Sequence, residues 1–526
     1  MDHILSIDQG TTSSRAVIFD EIGTPINMVQ QEFSQYFPYQ GWVEHDPEEI
    51  WTGIKDILKG INFSKFNLAA IGITNQRETT LIWERSSGKP IYPAIVWQDR
   101  RTAEYCQNLK NSGIEFSVHQ KTGLMLDPYF SATKIKWILD NVSGARERAK
   151  NGDLAFGTID TFLIWRLTNG RSHVTDATNA SRTMLFNILT QNWDQELLAL
   201  FDIPEAILPE VLDSAAEFGV SEDLLSGTVI PIRGVAGDQH ASTIGQGCTL
   251  PGMLKSTYGS GCFAMLNTGE EMKYSSEGLL TTPAYRLDGK VTYALEGSIF
   301  MAGATIQWLR DNLKIIQNAS DTELLAQELN SNAGVYLVPA FVGLGTPYWE
   351  PDARASITGL GRDSEIAHIA RAALESVAYQ TFDLITAMVR DSGLNIPSVR
   401  VDGGMTQNNW LMQFLANVID ITVERPTFIE TTAKGAFVLA ALQSNILNSI
   451  NDVESTWIVD KSFESDINES QRRQLIDGWQ QAVDSVIGLS KFKSSKQPNE
   501  DQYYSEIGKK IADENLDDLM SRLMDD

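Results

Sequence analysis

One arrangement occurs twice in this chain and limits what it can fold into. ILSID (4–8) and RAVIFD (15–20) flank a turn of glycine and hydroxyl residues. GMLKSTYGSGCFAMLN (252–267) repeats that order of apolar strand, Gly-hydroxyl turn and apolar strand. Turns this short bring the flanking strands together as antiparallel neighbours. PINMVQQEF (25–33), reached through Gly23 and Thr24, extends the first copy to a three-strand meander, and VTYALEG (291–297) supplies the third strand of the second. Two such copies predict two structurally similar domains facing one another. The length agrees, because 526 residues exceed what one hydrophobic core supports.

Helical segments alternate with these strands. A helix is expected from Pro47 to Lys59, followed by the strand LAAIGIT (68–74), and GATIQWLRDNL (303–313) reads as another helix. Ile366, Ile369, Ala370, Ala373, Val377, Leu384 and Met388 recur at helical spacing over 366–391, with Gly393 past the end. VRVD (399–402) is a strand that leads through two glycines into a helix with Leu411, Phe414, Leu415 and Val418 on one face. The class is α/β. The boundary falls near 245–252, giving domains 1–250 and 251–490 and an acidic tail, 491–526. In that tail KFKSSKQPNED (491–501) reads as a linker. Ile507, Ile511, Leu516, Leu519, Met520 and Leu523 mark a short amphipathic helix, solvated or loosely docked.

Charge removes several functional classes. Lys and Arg total 42 against 68 Asp and Glu, a net charge of −26. Such a surface repels nucleic acid and anionic membranes, although a local site can still take an anion. Cys106, Cys248 and Cys262 show no pairing or zinc spacing. MDHILSIDQG lacks a basic flank and a long apolar run, so it reads as a strand rather than a signal peptide. No window is long and apolar enough for a membrane span. A soluble cytoplasmic protein is expected.

The turns carry the chemistry. IDQGTTSSR is no P-loop, since no Gly-Lys-Ser/Thr follows its glycine. Either it solves a backbone problem, or its N–H groups and the hydroxyls of Thr11, Thr12 and Ser13 form a phosphate nest, with Asp8 at the strand end for Mg²⁺ or its waters. TYGSGCF (257–263) offers Ser260 between two glycines, and VDGGMTQNN (401–409) puts two glycines before a helix, a place for nucleotide against backbone. In GVAGDQH (234–240), Asp238 is either a helix cap or a base that takes a proton from a hydroxyl attacking phosphorus. Arg77 and Glu78 in GITNQRETT suit the hydroxyls of a small polar ligand, or form a surface ion pair. Trp97 and Tyr129 line a site or pack a core.

IDQGTTSSRAVIFD, GWVEHDPEEIW, ITNQRETT, VWQDRR, DPYFSATKIKWILD, TDATNASRTMLFN, GDQ, TYGSGCF, ALEGSIFMAGATIQWLRD, VPAFVGLGTPYW and VDGGMTQNNWLMQF together resemble the glycerol-phosphorylating FGGY carbohydrate kinases, collinearly over roughly 3–488. The resemblance implies two actin-like (ribonuclease H-like) ATPase domains flanking a central catalytic cleft. It implies ATP-dependent phosphorylation of glycerol to sn-glycerol 3-phosphate and ADP, a step of glycerol catabolism, in a homo-oligomer of two or four chains. Arg77, Glu78, Tyr129, Asp238 and Gln239 fall at glycerol-hydroxyl positions, and Trp97 and Phe263 at rings lining the carbon chain. Asp238 falls at the general base. Thr11, Thr12, Ser13 and Arg15 match the first phosphate turn, and Ser260 lies in the second. Gly303, Gln307, Gly404 and Asn408 match positions around the rest of the nucleotide, while Asp8 and Asp238 fall near Mg²⁺.

Three positions depart from the pattern. Ser260 replaces the usual Thr and keeps its hydroxyl, and His240 stands where Gln is expected. Val229 in LLSGTVIPIRG (224–234) replaces an expected Arg, so feedback by a sugar bisphosphate is not expected. A kinase for another polyol or a pentulose is the nearest alternative, but Arg77-Glu78 with Trp97 and Phe263 favours three carbons. An actin-like ATPase driving conformation or assembly would not need those residues together with Asp238 and Gln239.

Overall fold

The computed structural model describes residues 2–221 and 229–494. In the first half β1 (His3–Gln9), β2 (Ser13–Phe19), β3 (Pro25–Glu32), β4 (Leu68–Asn75), β5 (Ala215–Ser221) and β6 (Ile230–Gly237) form one sheet, ordered β5-β6-β4-β1-β2-β3. β1, β2 and β3 are the expected antiparallel meander, β4 and β6 continue parallel to β1, and β5 closes the edge antiparallel.

The second half builds the same sheet again. β7 (Leu254–Tyr258), β8 (Cys262–Gly269), β9 (Leu280–Leu287), β10 (Lys290–Ile299), β11 (Ser398–Asp402), β12 (Thr422–Pro426) and β13 (Val459–Phe463) are ordered β9-β10-β8-β7-β11-β12-β13. Apart from β9, strand directions match the first sheet position by position. VTYALEG lies in β10 and takes the third place of the meander, as expected. The strand before it, β9, escapes a sequence reading because Pro283 interrupts it. Proline is tolerated there because β9 is an edge strand whose register shifts after Pro283.

Eight helices organise the layers: α1 (Pro47–Lys59), α2 (Ile159–Leu167), α3 (Asp238–Gly245), α4 (Gly303–Asp311), α5 (Ile366–Ser392), α6 (Asn409–Ile419), α7 (Thr431–Gln443) and α8 (Glu469–Ser494). α1 starts where Pro47 follows Asp46, whose carboxylate accepts the Glu48 amide at 2.8 Å. α1 and α2 bury Leu5, Ile7, Ala16, Ile18, Ile71 and Ile73 on one face of the first sheet. The alternate residues Ile4, Val17, Phe19 and Ala70 pack with Phe437, Val438 and Leu439 of α7 on the other. GAFVLAAL (435–442) is apolar all round its helix, as a segment buried on every side must be. α7 thus returns from the second half of the sequence to cover the first sheet.

α5 ends at Gly393, which adopts the left-handed conformation (φ +68°) anticipated from its position. In α8 Trp479 stacks on Tyr379 of α5 at 5.3 Å, and the helix continues to Ser494. The polar run expected to be a linker from 491 is therefore helical at its start. The Trp479, Val483 and Val486 face packs on the second core and carries the helix into it. The amphipathic segment with Ile507, Ile511, Leu516, Leu519, Met520 and Leu523 lies outside the described residues, as do 222–228; Val229 beside the latter is exposed.

α3 and α7 cross in contact through glycines. A methyl group on Gly435 would overlap the Ala241 carbonyl of α3, and one on Gly245 would overlap the Thr431 carbonyl of α7. Gly435→Ala should therefore force the helices apart and cost about 1–3 kcal/mol. A thermal melt reads this directly; an unchanged melting temperature would show that the crossing relaxes freely.

Candidate functional site

Four charged side chains, nearly all without solvent, form the centre of the molecule. Arg77 follows β4 and donates from Nη1 to Glu296 Oε2 (2.6 Å) and from Nη2 to Glu296 Oε1 (2.9 Å), a bidentate pair joining the first half to β10 of the second. Arg182 donates from Nε to Glu78 Oε1 (2.6 Å) and from Nη2 to Glu296 Oε1 (3.2 Å). Arg77, Glu78, Arg182 and Glu296 are each at most 2% exposed. Burial alone would raise the Glu296 pKa, but Arg182 and Arg77 outweigh it and hold the carboxyl well below its usual range. Glu78 moves the other way: burial raises it more than Arg77 and Arg182 lower it. Its backbone is left-handed (φ +58°), a strained state for glutamate. Its carbonyl is held there by the hydroxyls of Thr80 (2.9 Å) and Ser131 (3.1 Å).

Asp238 faces this cluster. It opens α3 at the end of β6, with Oδ1 3.2 Å from Arg77 Nε and accepting the Gln239 amide at 2.7 Å. Asp238 is the first residue of α3 rather than its cap, which is Gly237, and its carboxylate also reaches the charge cluster. Its side chain keeps 27% exposure where its neighbours are closed. Burial raises its pKa, opposed by Arg77 and the Gln239 amide. A carboxylate shifted upward and still accessible is suited to take a proton.

Three rings stand beside it. Trp97 meets Tyr129 edge-on at 5.7 Å and Phe263 at 6.1 Å, and the Tyr129 hydroxyl lies 3.4 Å from Arg77 Nη2. All three are half-buried, so they form a wall rather than a core. Trp97 Nε1 donates to Thr11 Oγ1 at 3.0 Å, tying the wall to the opening turn.

In that turn Gly10 N–H bonds the Ser13 carbonyl at 2.9 Å, and Gln30 Nε2 donates to Ser13 Oγ at 3.0 Å. Thr12 is exposed, whereas Ser14 is buried and its hydroxyl finds no partner among the described residues. Strand register sets Asp8 opposite Arg15, and their side chains approach to 3.5 Å. Arg15 also pairs with Glu430 at the start of α7. Among the described residues Asp8 has only this shared cation. Burial, Glu430 and Asp238 push its carboxyl up to about 7, with Arg15 opposing.

The other turns adjoin one another. Gly303 N–H donates to the Gly259 carbonyl (3.0 Å), and the Ser260 carbonyl accepts from Ala302 (2.9 Å) and Ala304 (3.0 Å), so TYGSG sits on the start of α4. Gly403 lies against Tyr258, where a Cβ would overlap the backbone, and Gly404 is open. The Asn408 side-chain oxygen caps α6 at Leu411 N–H (2.9 Å), so that oxygen is already engaged. Gln307 stands exposed on α4.

Sequence reasoning missed Glu296, Arg182 and Lys255. Lys255 is a fully buried lysine on β7 that pairs with Gln239. Burial lowers its pKa, while Asp402 raises it. The available signal was a lone charge inside an apolar strand, as in ALEGSI and GMLKST. His240 is buried, with Nε2 3.2 Å from Thr282 Oγ1; burial and then Arg77 hold its pKa well below the usual value, so it is neutral.

The FGGY family of carbohydrate kinases, N-terminal domain, matches residues 3–245, and its C-terminal domain matches 254–444. Glycerol kinase 1 of Pseudomonas aeruginosa is 58% identical over 488 residues, covering 92% of this chain and 99% of that one. Glycerol kinase of Petrotoga mobilis is 55% identical over 486 residues, covering 92% and 98%. Among solved structures, Plasmodium falciparum glycerol kinase with ADP superposes with a TM-score of 0.88 at 38% identity, covering 92% and 98%. Ligand-bound xylulose kinase from Lactobacillus acidophilus shares the fold, with a TM-score of 0.84 at 21% identity over the same shares.

Asp8 predicts a pH signature. Its carboxyl titrates near 7 when folded, against an ordinary 3.8. The folded chain therefore holds a proton that the unfolded chain releases across this window. The associated stability is full below pH 4 and is lost as pH rises through 7. Without nucleotide or divalent cation, Asp8→Asn should melt above the parent at pH 8, by the equivalent of roughly 2–4 kcal/mol, and the gap should close toward pH 4. Melting curves at both pH values test this, and a gap independent of pH would refute it.

Proposed function

The chain belongs to the FGGY family of carbohydrate kinases, and we infer from that premise how its residues carry the γ-phosphoryl group of ATP to glycerol. The enzyme is an ATP-dependent glycerol kinase, giving sn-glycerol 3-phosphate and ADP. The observation that carries the residue assignment is Asp238. It is the exposed member of an otherwise closed charge cluster, beside a wall of three rings.

In this reading glycerol lies with its carbon chain against Trp97, Tyr129 and Phe263. Arg77, Glu78, Tyr129 and Gln239 take its hydroxyls. Asp238 accepts the proton of the reacting hydroxyl as that oxygen bonds to the γ-phosphorus. The bond from phosphorus to the β,γ-bridging oxygen breaks, and ADP leaves with its electrons. Thr11, Thr12, Ser13 and Ser260 offer hydroxyls and backbone to the phosphates, and Arg15 stands beside them. Gly303, Gln307, Gly404 and Asn408 flank the rest of the nucleotide. Glycerol would be enclosed by residues of both halves, divided near 250, and closure would exclude the water that competes as a nucleophile.

The acidic pair suits Mg²⁺. Asp8 is buried and under-compensated, and it feels the charges of Glu430 and Asp238, a hard-oxygen donor set that a divalent cation would stabilise. Asp8 and Asp238 would hold the ion or its waters, and it would neutralise phosphate charge. We place the enzyme in the cytoplasm, which suits three buried, unpaired thiols.

The test is phosphoryl transfer measured with glycerol, with xylulose and with no acceptor. Turnover should require glycerol, and Asp238→Asn should lower kcat by roughly 10²–10⁴-fold while nucleotide binding persists. Near-normal turnover in that variant removes Asp238 as the base. Faster turnover on xylulose would favour a pentulose kinase, and ATP consumption without acceptor an ATPase.

A further inference from the structure

Lys255 points from β7 across to the start of α3, and all three donors of its ammonium group are used. Nζ donates to Gln239 Oε1, to Thr257 Oγ1 at 3.0 Å and to the Phe263 carbonyl at 3.4 Å. The lysine is 0% exposed. Two of its three acceptors belong to residues assigned to the polyol, one on α3 and one on β8. We propose that Lys255 is a positioning residue that fixes the side-chain amide of Gln239 in one orientation and thereby sets affinity for the polyol.

The argument is one of donor and acceptor chemistry. An ammonium offers three donors and no acceptor, so the Gln239 atom facing it must be the carbonyl oxygen. The amide NH₂ is then directed away from the lysine, and Gln239 presents donors only. Asp238 and Glu78 present acceptors. A substrate hydroxyl has both kinds of group, and such a site holds its oxygen with one residue and its proton with another. Without the ammonium, either end of the amide could face the substrate, and with its oxygen outward Gln239 would compete with Asp238 and Glu78 for the one hydroxyl proton. The same ammonium holds the backbone beneath the Phe263 ring, so the ring wall and the amide are placed by a single charge.

This proposal rests on the reading of Gln239 as a polyol contact, and the experiment separates the two. Lys255→Met, Gln239→Leu and the double variant are compared by glycerol KM, ATP KM, kcat and melting temperature. Lys255→Met should raise glycerol KM about 5- to 30-fold, with ATP KM and kcat within about threefold of the parent. In the Gln239→Leu background the same change should alter glycerol KM by less than about twofold, because the group it positions is gone. Multiplicative effects, or an unchanged glycerol KM in Lys255→Met, would overturn the proposal. If Gln239→Leu alone leaves glycerol KM unchanged, the polyol reading itself fails. Should Lys255→Met not fold, Lys255→Gln replaces it: a raised glycerol KM that vanishes in the Gln239→Leu background supports the proposal, and a parental KM overturns it.

Discussion

The paired hydrogen bonds between Arg77 and Glu296 join the two halves where no water can screen them. Removing such charges from water costs several kcal/mol each, and only close, fully bonded geometry offsets it. Arg182 and Glu78 extend that geometry through Arg182 Nε and Nη2, while Arg182 Nη1 finds no partner among the described residues. The pair is weak evidence for stability, since apolar residues of equal volume can do as well. What it supplies is a fixed position. Arg77 is held at both Nη atoms, which leaves Nε beside Asp238 and Nη2 within reach of the Tyr129 hydroxyl. On the proposed reading, the groups that would face substrate are thereby set before any ligand arrives.

A second constraint runs through α3. The helix spans only eight residues, yet it begins with Asp238 and ends at the glycine crossing with α7. Between those points Ser242 donates to Asp402 Oδ2 at 3.0 Å and Gln246 at 2.8 Å, and Thr431 of α7 reaches the same oxygen. Asp402 is followed by Gly403 and Gly404, the turn assigned to nucleotide. Asp238 and that turn are thus two ends of one short path. An interior this dense passes strain on rather than absorbing it. A change at the crossing is therefore felt at the start of α3.

The duplicated meander, the helix at Pro47–Lys59 and the helix ending at Gly393 were legible because each rests on local chemistry: short turns, an Asp-Pro start and a glycine stop. So was the ring wall, whose residues sit in motifs long enough to resemble a family. What was hidden was non-local. Glu296 lies 219 residues from Arg77 and Lys255 lies 16 from Gln239, and nothing in strand periodicity says which buried charges will meet. The return of α7 to the first sheet was likewise unreadable, because a run apolar on every side of its helix names no partner. β9 was lost to its proline, and α8 continues as a helix past the polar residues at 491.

The acidity of the chain then acquires a local meaning. With a net charge of −26 the protein cannot draw a nucleotide by its overall field. At the opening turn Arg15 is shared between Asp8 and Glu430. A polyphosphate stripped of its counterion would meet Asp8 and Asp238 at short range, both repelling it. The same polyphosphate carrying a divalent cation would meet them as partners, and the excess charge on Asp8 would become attraction. On the proposed reading the carboxylates act as a filter for the charge state of the donor, and the hydroxyls and amides of the turns contribute geometry. A basic turn would bind phosphate more tightly but would not distinguish the two forms. On that reading the cost is a carboxyl that burial pushes up to about 7, an instability kept where the ligand would relieve it.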